Sequence, residues 1–473
     1  MAFSRGIRHL LLGSLACLLL IGLSATYWAV AGRDSLLLRA DNPRLIEALA
    51  AIQRGSIFDR NQQLLAESIV QDGALTRRYL RPATYSATGY YSLRYGVSGA
   101  ESAFDALLSG SSEIQTLQDY VNRGLLNRPQ VGSDIRLAID ARLQTALVNA
   151  IGDARAAAVV LEAQSGRVLA LISQPTYDPN TLEDDWEYLI EADGQPFFNR
   201  ALQGRYQLGG AMYTVLLAHA AASDFDLSQR FPQASAPIEF QDGMTLACVI
   251  KPKQNELSLA DAYAHGCPAP FQSYYLANNA IDMERSLAPY AFDNPITLDG
   301  FPRPERSEPP AVPSEGQLDA DTLALRSALG QGDLTTTPLH LAAIMAAIAT
   351  DGGAPAPQIL SATRPPNEDQ WQKTTGDSTV VSIMSADVAQ ELRLILRRAW
   401  HKLLGEFESV PGAVGAQVAL SQSGESKQIW LNGFYQSPGK SPISFVILLE
   451  DRDDPQAMLT IGKAMIRAID DLH

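Results

Sequence analysis

Cysteine, histidine and positive charge are all scarce in this sequence. Three cysteines among 473 residues are too few for a disulfide-dense scaffold. The six histidines show no metal-ligand spacing, so we expect neither a metal nor a cofactor. Acidic residues outnumber basic ones by 52 to 37, and the formal charge is −15. This argues against nucleic acid as a partner, because a polyanion would be repelled.

Several hydrolase signatures are also missing. The sequence contains no Gly-x-Ser-x-Gly nucleophile elbow. No placed pair of carboxylates for glycoside hydrolysis can be picked out, and the acidic run at 183–187 is typical of a solvated face. A literal Ser-x-x-Lys runs from Ser437 to Lys440, but its Pro-Gly centre predicts a turn. Activation of a serine by that lysine would need a helix.

One long apolar segment stands at the N-terminus. Arg5 and Arg8 precede a run from Leu10 to Gly32 that carries no charge, and about 20 apolar residues suffice to cross a bilayer. Positive residues on its N-terminal side predict a cytoplasmic tail at 1–9, a transmembrane anchor at 10–32 and an extracytoplasmic remainder. A cleaved signal peptide is the alternative, although the run exceeds the ~7–15 residues of a signal core.

The rest of the chain mixes helix and strand patterns. We expect strands at 135–139, 156–161, 168–172, 428–435 and 443–450, and helices at 141–151, 213–222, 386–401 and 456–472. The closing strands are adjacent in sequence, which predicts an antiparallel sheet with helices packed on it, an α+β fold. We expect one domain at 33–134 and a second at 135–473.

Six blocks follow one another along the chain at 54–60, 89–101, 139–144, 165–180, 199–201 and 330–339. In order and spacing these blocks resemble class B penicillin-binding proteins. The resemblance implies an N-terminal transmembrane helix, an elongated pedestal (dimerisation-like) domain and a penicillin-binding or β-lactamase-like transpeptidase domain. It also implies that the pedestal docks a membrane partner around Arg54, Gly55, Asp59 and Arg60.

The residues that carry the chemistry of this family do not match. Acyl transfer through a covalent serine needs Ser-x-x-Lys at a helix N-terminus, and Ser-x-Asn and Lys-Thr-Gly motifs complete the cleft. The first motif aligns on Gly210 and Tyr213, which stand in place of serine and lysine. The second aligns on Gly266 and Pro268, in place of serine and asparagine.

The third motif aligns on residues 412–416, ahead of a strand that contains residues 430–434. Ala413 replaces its lysine and Val414 its threonine. Tyr213 is expected to fill the space of a lysine and pack there, with a functional phenol as the alternative. Loss at all three motifs, with the flanking blocks kept, predicts a pseudoenzyme with no catalytic residue.

Two cysteines lie at or ahead of the second motif. Cys248 and Cys267 are nineteen positions apart, and a disulfide between them would suit an oxidising compartment. A nucleophile pair formed by Cys267 and His265 is the alternative. The sequence leaves the bridge undecided.

The resemblance implies a role in peptidoglycan synthesis. We expect a catalytically inactive scaffold or regulator that partners a polytopic SEDS-type glycosyltransferase and other proteins of division or elongation, with peptidoglycan as a further candidate ligand. One alternative is an active D,D-transpeptidase or other acyltransferase with a relocated nucleophile. Another is a non-covalent sensor of peptidoglycan fragments or β-lactams.

Overall fold

A computed structural model gives the architecture of the chain. It describes residues 2–30, 47, 49–111, 130–223, 225–278, 283–304, 319–366, 368–374, 379–404, 410–423 and 426–472. The helices are α1 Ala2–Val30, α2 Tyr85–Thr88, α3 Gly99–Ala103, α4 Asp105–Leu108, α5 Ala141–Ile151, α6 Leu182–Glu191, α7 Tyr213–Ala222, α8 Leu259–His265, α9 Pro268–Ala277, α10 Met283–Leu287, α11 Ala320–Ala328, α12 Pro338–Ala349, α13 Ala386–Leu404 and α14 Pro455–Asp470. The strands are β1 Ile57–Phe58, β2 Leu64–Gln71, β3 Ala74–Tyr79, β4 Tyr91–Ser92, β5 Gly96–Val97, β6 Asp134–Leu137, β7 Ala156–Glu162, β8 Val168–Gln174, β9 Tyr206–Gln207, β10 Arg230–Phe231, β11 Ile238–Glu239, β12 Thr245–Leu246, β13 Leu257–Ser258, β14 Thr335–Thr336, β15 Gly353–Pro355, β16 Leu360–Arg364, β17 Gln372–Lys373, β18 Val380–Ser382, β19 Ala413–Ser423, β20 Ser426–Gln436 and β21 Ile443–Glu450.

Helix α1 is apolar along its length. Its segment His9–Tyr27 has 19 residues and a mean hydropathy of 2.0, and none of it is buried. Ser14 Oγ and Thr26 Oγ1 donate to carbonyls four residues earlier at 3.0 and 2.8 Å, so these hydroxyls need no water inside a bilayer. The helix suggests single-pass membrane anchoring. Of the predicted span, residues 31 and 32 lie outside the described part of the chain.

A mixed six-stranded sheet ties the first region to the second. Its strand order is β17-β16-β6-β1-β2-β3. Strand β1 pairs in parallel with β6, with Ile57 opposite Ile135, and β6 pairs antiparallel with β16 on its other side. The expected domain boundary at 134/135 therefore falls inside β6, whose two edges bond to strands from both regions.

A five-stranded antiparallel sheet forms the centre of the second region, in the order β19-β20-β21-β7-β8. Helices α5 and α14 pack on one face, where Leu147 and Met465 join Phe445 of β21 in one buried cluster. Helices α7, α12 and α13 contribute to the cluster on the other face. All residues of α12 are buried, as expected for a helix that is apolar all round. The α+β prediction is confirmed.

Most of the predicted elements are present in this sheet and its helices. Helix α5 begins after Asp140, whose side chain accepts a hydrogen bond from Arg142 N as a helix cap. The predicted closing strands correspond to β20 and β21, but a third long strand, β19, precedes them. Its residues 414–419 are all buried, so β19 shows none of the polar–apolar alternation that marks a half-exposed strand.

Candidate active-site cleft

The cleft lies where the start of α7 meets the edge strand β19. The chain enters α7 through a 3₁₀ turn, Gly209–Met212. Gly209 has a φ of +53°, and a Cβ there would overlap the carbonyl of Leu420, so this close approach requires glycine. Gln417 Nε2 on β19 donates to Gly210 O at 3.0 Å. Gly210, the position of the family's serine, therefore lies tightly against the strand.

Tyr213 fills the position of the family's lysine. Its ring stacks on Phe271 of α9, with centroids 4.3 Å apart and planes 12° from parallel. The side chain is 3% exposed, and burial raises its pKa well above the usual value. The phenol is therefore neutral at ordinary pH and packs as the sequence predicts, and it supplies no base for a nucleophile.

The second motif lies at the junction of α8 and α9. Gly266 ends α8 in the left-handed conformation, with a φ of +60°. Pro268 is the first residue of α9 and is buried, a position where its missing N–H breaks no helical hydrogen bond. A Cβ added to Gly266 would lie 2.5 Å from Val249 Cγ2. The space for a side chain at the serine position is thus taken by a loop residue.

The structure corrects the position of the third motif. Ala413 and Val414 pair with Gln436 and Tyr435 at the start of β19, six and five residues before Ala419. A strand rises ~3.3 Å per residue, which puts them about 17–20 Å from the part of β19 that meets Gly210. Neither residue lines the cleft cavity.

The segment of β19 beside Gly210 comes later in the sequence. A Cβ on Gly210 would lie 3.3 Å from Ala419 Cβ, and Leu420 and Ser421 line the cavity. Val418, Ala419 and Leu420 therefore stand closest to where the Lys-Thr-Gly motif would face a nucleophile. Those positions also lack a lysine and a threonine.

Packing on β20 explains why Gly412 and Gly415 resemble the glycines of the third motif. A Cβ on Gly415 would lie 2.6 Å from Phe434 Cε1, and one on Gly412 would overlap the ring of Tyr435. Both glycines thus make room for aromatic rings of β20. The pairing of Ala419 with Trp430 sets the register of β19. Trp430 is the feature of the sequence from which the position of the third motif could have been counted back.

A small cavity of about 170 Å³ remains in the cleft. Gly210 and Tyr213 line one wall, Leu420 and Ser421 a second, and the loop that carries Val249 a third. Pockets that hold drug-sized ligands typically have ~300–1,000 Å³. The cavity is therefore too small for a stem peptide unless the loop moves.

Few groups around this cavity can do chemistry. Ser421 Oγ donates to Gln428 Oε1 at 2.9 Å, and an amide oxygen is not a base. Among the described residues that line the cavity, Lys427 is the one cation, and it pairs with Asp453 at 2.7 Å. The literal Ser-x-x-Lys lies in the turn between β20 and β21, as predicted, where Lys440 N donates to Ser437 O.

Cys248 and Cys267 form a disulfide in the structure, with an S–S distance of 2.06 Å. Cys267 is fully buried, whereas Cys248 is half-buried and lines the cavity. In this state Cys267 has no thiol for the alternative pairing with His265. Burial lowers the pKa of His265, so this imidazole is neutral at pH 7.

Arg54 of the pedestal lies in the interior, contrary to a role in direct docking. Its side chain is 4% exposed and pairs with Glu101 at 2.9 Å and Asp105 at 2.6 Å. The guanidinium also lies 4.2 Å from the centre of the Tyr91 ring. Arg77 holds the other oxygen of Glu101 at 2.6 Å. Arg54 therefore joins pedestal segments to one another.

Two of the other three expected docking residues are buried as well. A Cβ on Gly55 would overlap Ser133 O. The Asp59 carboxylate accepts from Gln63 N at 2.8 Å and from Ala141 N, at the start of α5, at 3.2 Å. Of the four, Arg60 is the exposed one. Arg54 and Gly55 pack within the pedestal, and Asp59 contacts the second region.

The sequence did not reveal Val249, Gln417 or Phe271 as cleft residues. Each lies outside the three motifs and reaches the cleft by tertiary packing. Phe271 had the one local indication, since it lies a turn after Pro268 on the same short helix. Val249 is adjacent to Cys248, so a decision in favour of the candidate disulfide would have placed it.

Comparison with known proteins finds relatives along nearly the whole chain. A family model described as "Penicillin binding protein transpeptidase domain" matches residues 156–469, and one described as "Penicillin binding protein A dimerisation domain" matches 54–135. The peptidoglycan D,D-transpeptidase PbpA of Mycolicibacterium smegmatis is 28% identical over 95% of this chain and 94% of its own. That of Mycobacterium tuberculosis is 27% identical over 98% of both. The solved imipenem acyl-enzyme of penicillin-binding protein A from M. tuberculosis has a TM-score of 0.75 at 25% identity, over 90% of this chain and 99% of that one.

Proposed function

The chain belongs to the penicillin-binding protein transpeptidase family of peptidoglycan and cell-wall synthesis, and from that premise we propose that it is a catalytically inactive, membrane-anchored scaffold. The observation that carries the proposal is the pair Gly210 and Tyr213. They occupy the positions of nucleophile and base, yet offer a hydrogen atom and a neutral, buried phenol. Acyl transfer in this family needs a side-chain oxygen and a base at these two positions.

The shape of the cleft supports the same proposal. The space beside Gly266 is taken by Val249, and the strand that would supply the third motif presents Val418, Ala419 and Leu420. Relatives named D,D-transpeptidases and a solved acyl-enzyme belong to the same family. We therefore propose that this chain departs from its relatives in chemistry while it keeps their fold.

The proposed topology places the folded regions outside the cytoplasm. Arg5 and Arg8 precede the apolar helix, and positive residues favour the cytoplasmic side. A disulfide between Cys248 and Cys267 fits an oxidising compartment. The scaffold would then stand on the outer face of the membrane.

We propose that α1 and the exposed pedestal surface around Arg60 dock a polytopic SEDS-type glycosyltransferase and other proteins of division or elongation. The support is the preserved architecture. The Arg54–Glu101 pair stiffens the pedestal, and the Asp59 carboxylate couples it to the start of α5. A scaffold needs such rigidity, whereas an inactive cleft does not.

Labelling with a fluorescent penicillin tests the inactive state. The full chain in native membranes is expected to show no label that survives denaturation, while an active penicillin-binding protein in the same membranes is labelled. Covalent label on this chain would overturn the proposal. If that label disappeared in Ser421→Ala, it would identify the relocated nucleophile, because Ser421 has a hydroxyl in the cavity.

Co-purification tests the scaffold role. Arg60→Glu is expected to reduce recovery of cell-wall glycosyltransferase partners from solubilised membranes. Arg81→Glu, at another exposed pedestal arginine, serves as the matched control with the same charge change. Equal recovery with both variants and the wild type would refute docking through Arg60.

A further inference from the structure

We propose that residues 247–250 form a plug in the cleft and that Cys248 is the site at which an extracytoplasmic dithiol releases it. This goes beyond the scaffold role, since it concerns access to the cleft. The plug is the loop between strand β12 and the polar segment before β13. Three kinds of contact hold it, namely packing, a hydrogen bond and a disulfide, and the last is a bond that thiol chemistry can break.

The first contact is steric. Val249 Cγ2 occupies the space into which a Cβ on Gly266 would project, at 2.5 Å. With Gly210 and Tyr213 across the remaining 170 Å³, the loop forms one wall of the cavity, whose rim includes the exposed residues Lys427 and Asp453. Moving the plug would widen this cavity along β19.

The second contact is a single backbone hydrogen bond. Ile250 N donates to His265 O at 3.1 Å, which fixes the end of the plug to the last turn of α8. The start of the plug is anchored by the β11–β12 hairpin, in which Leu246 pairs with Ile238. Between these two points, residues 247–249 belong to neither a strand nor a helix.

The third contact is the disulfide from Cys248 to Cys267. Its two sulfurs differ in access, because Cys267 is fully buried at the start of α9, whereas Cys248 is half-buried in the cavity wall. An attacking thiolate must approach a disulfide sulfur directly. Cys248 is therefore the sulfur attacked, and Cys267 is the leaving group.

The exchange then runs in two balanced steps. One thiolate of the dithiol bonds to Cys248 Sγ, the Cys248–Cys267 bond breaks, and the Cys267 thiolate leaves and takes up a proton. The second thiol of the reductant attacks its own sulfur in the mixed disulfide and releases Cys248 as a thiol. The protein gains two electrons and two protons, and the dithiol becomes a disulfide.

Hydrogen exchange followed by mass spectrometry tests the plug on the full chain in detergent, with dithiothreitol as the dithiol. Reduction is expected to speed amide exchange in peptides that cover 245–250 about tenfold or more, because local opening there would lose its covalent restraint. Over exchange times of minutes, β20, β21 and α12 are expected to stay protected, because their amides exchange only on global unfolding. The double variant Cys248→Ala/Cys267→Ala without reductant should match the reduced protein.

Cys17→Ala is the matched control, since it removes the one remaining cysteine and should leave exchange at 245–250 as in the oxidised wild type. Unchanged exchange at 245–250 after reduction would overturn the proposal, because packing alone would then hold the loop. Loss of protection in α8, α9 and the sheet within the same minutes would overturn it too, because the bridge would then hold these elements together and not the plug alone. With glutathione as a monothiol probe, adduct mass is expected on the Cys248 peptide, and an adduct confined to the Cys267 peptide would refute the direction of attack.

Discussion

Replacing Tyr213 with lysine should destabilise the protein, although lysine is the residue that the family has there. The ring of Tyr213 is 3% exposed and stacks on Phe271 at 4.3 Å. Truncating a buried aromatic side chain to alanine costs about 3–5 kcal/mol. The methylene groups of a lysine would recover part of that loss, but its amine would have to be desolvated.

The charge of the introduced lysine determines how much the free energy of unfolding falls. Asp453 is the one carboxylate among the described cavity-lining residues, and Lys427 already pairs with it. A buried lysine without a partner has its pKa lowered by up to ~3–5 units, and each unit corresponds to about 1.36 kcal/mol. We therefore expect Tyr213→Lys to lower the free energy of unfolding by about 4 kcal/mol at pH 7.

Thermal unfolding of the full chain in detergent measures this loss. Tyr213→Phe is the matched control and should be nearly neutral, because it keeps the stack on Phe271. Tyr213→Lys should lower Tm by about 5–10 °C relative to it. The introduced lysine would be neutral when folded and protonated when unfolded, so its penalty should grow as pH falls from 9 to 6. Equal stability of the two variants at every pH would refute this account of the packing.

Three further predictions concern other parts of the fold. His340 accepts from Ile296 N at 3.0 Å and donates to Tyr290 O, and burial lowers its pKa to about 4. Because the unfolded chain then binds more protons at low pH, the free energy of unfolding should fall by roughly 3 kcal/mol between pH 6.5 and 4. Urea titrations across this pH range should find a smaller fall in His340→Gln. Breaking the Cys248–Cys267 bridge in the double alanine variant should lower the free energy of unfolding by about 3 kcal/mol, because it releases a closed loop of roughly 20 residues. Dithiothreitol should lower the Tm of the wild type to that of the variant, and it should leave the Tm of the variant unchanged. Arg54→Ala should lower the free energy of unfolding by about 3 kcal/mol. This is near the lower end for a broken buried ion pair, because Arg77 still holds Glu101. A Tm equal to that of Arg60→Ala would contradict the interior role of Arg54.

Local features made much of the chain predictable. The apolar run of residues predicts helix α1, and Asp140 as a helix cap predicts the start of α5. Gly210 and Tyr213 could be matched to Ser-x-x-Lys because they lie three positions apart in one short segment, shortly after the family-like block at 199–201. The third motif could not, since Gly412 and Gly415 imitate its glycines while they accommodate Tyr435 and Phe434.

The residue pattern left strand register undetermined, and it also left the burial of charged side chains undetermined. A charged Arg54 in a pedestal block suggests an exposed docking residue, yet Glu101, Asp105 and the ring of Tyr91 enclose it. Residues far apart in the sequence supply those partners, so no local pattern could announce them. The proposed docking surface is therefore assigned to exposed neighbours such as Arg60.

By itself, the sequence determined the apolar anchor, the α+β class and the loss of serine and lysine at the first motif, because each depends on residues that are neighbours along the chain. The tertiary structure alone decided which part of β19 faces Gly210, that Val249 fills the space beside Gly266, and that Arg54 is interior. Strand register and burial arise from contacts between distant segments. A shift of a few residues along β19 changes every side chain that meets the cleft, and only the pairing of Ala419 with Trp430 fixes that shift.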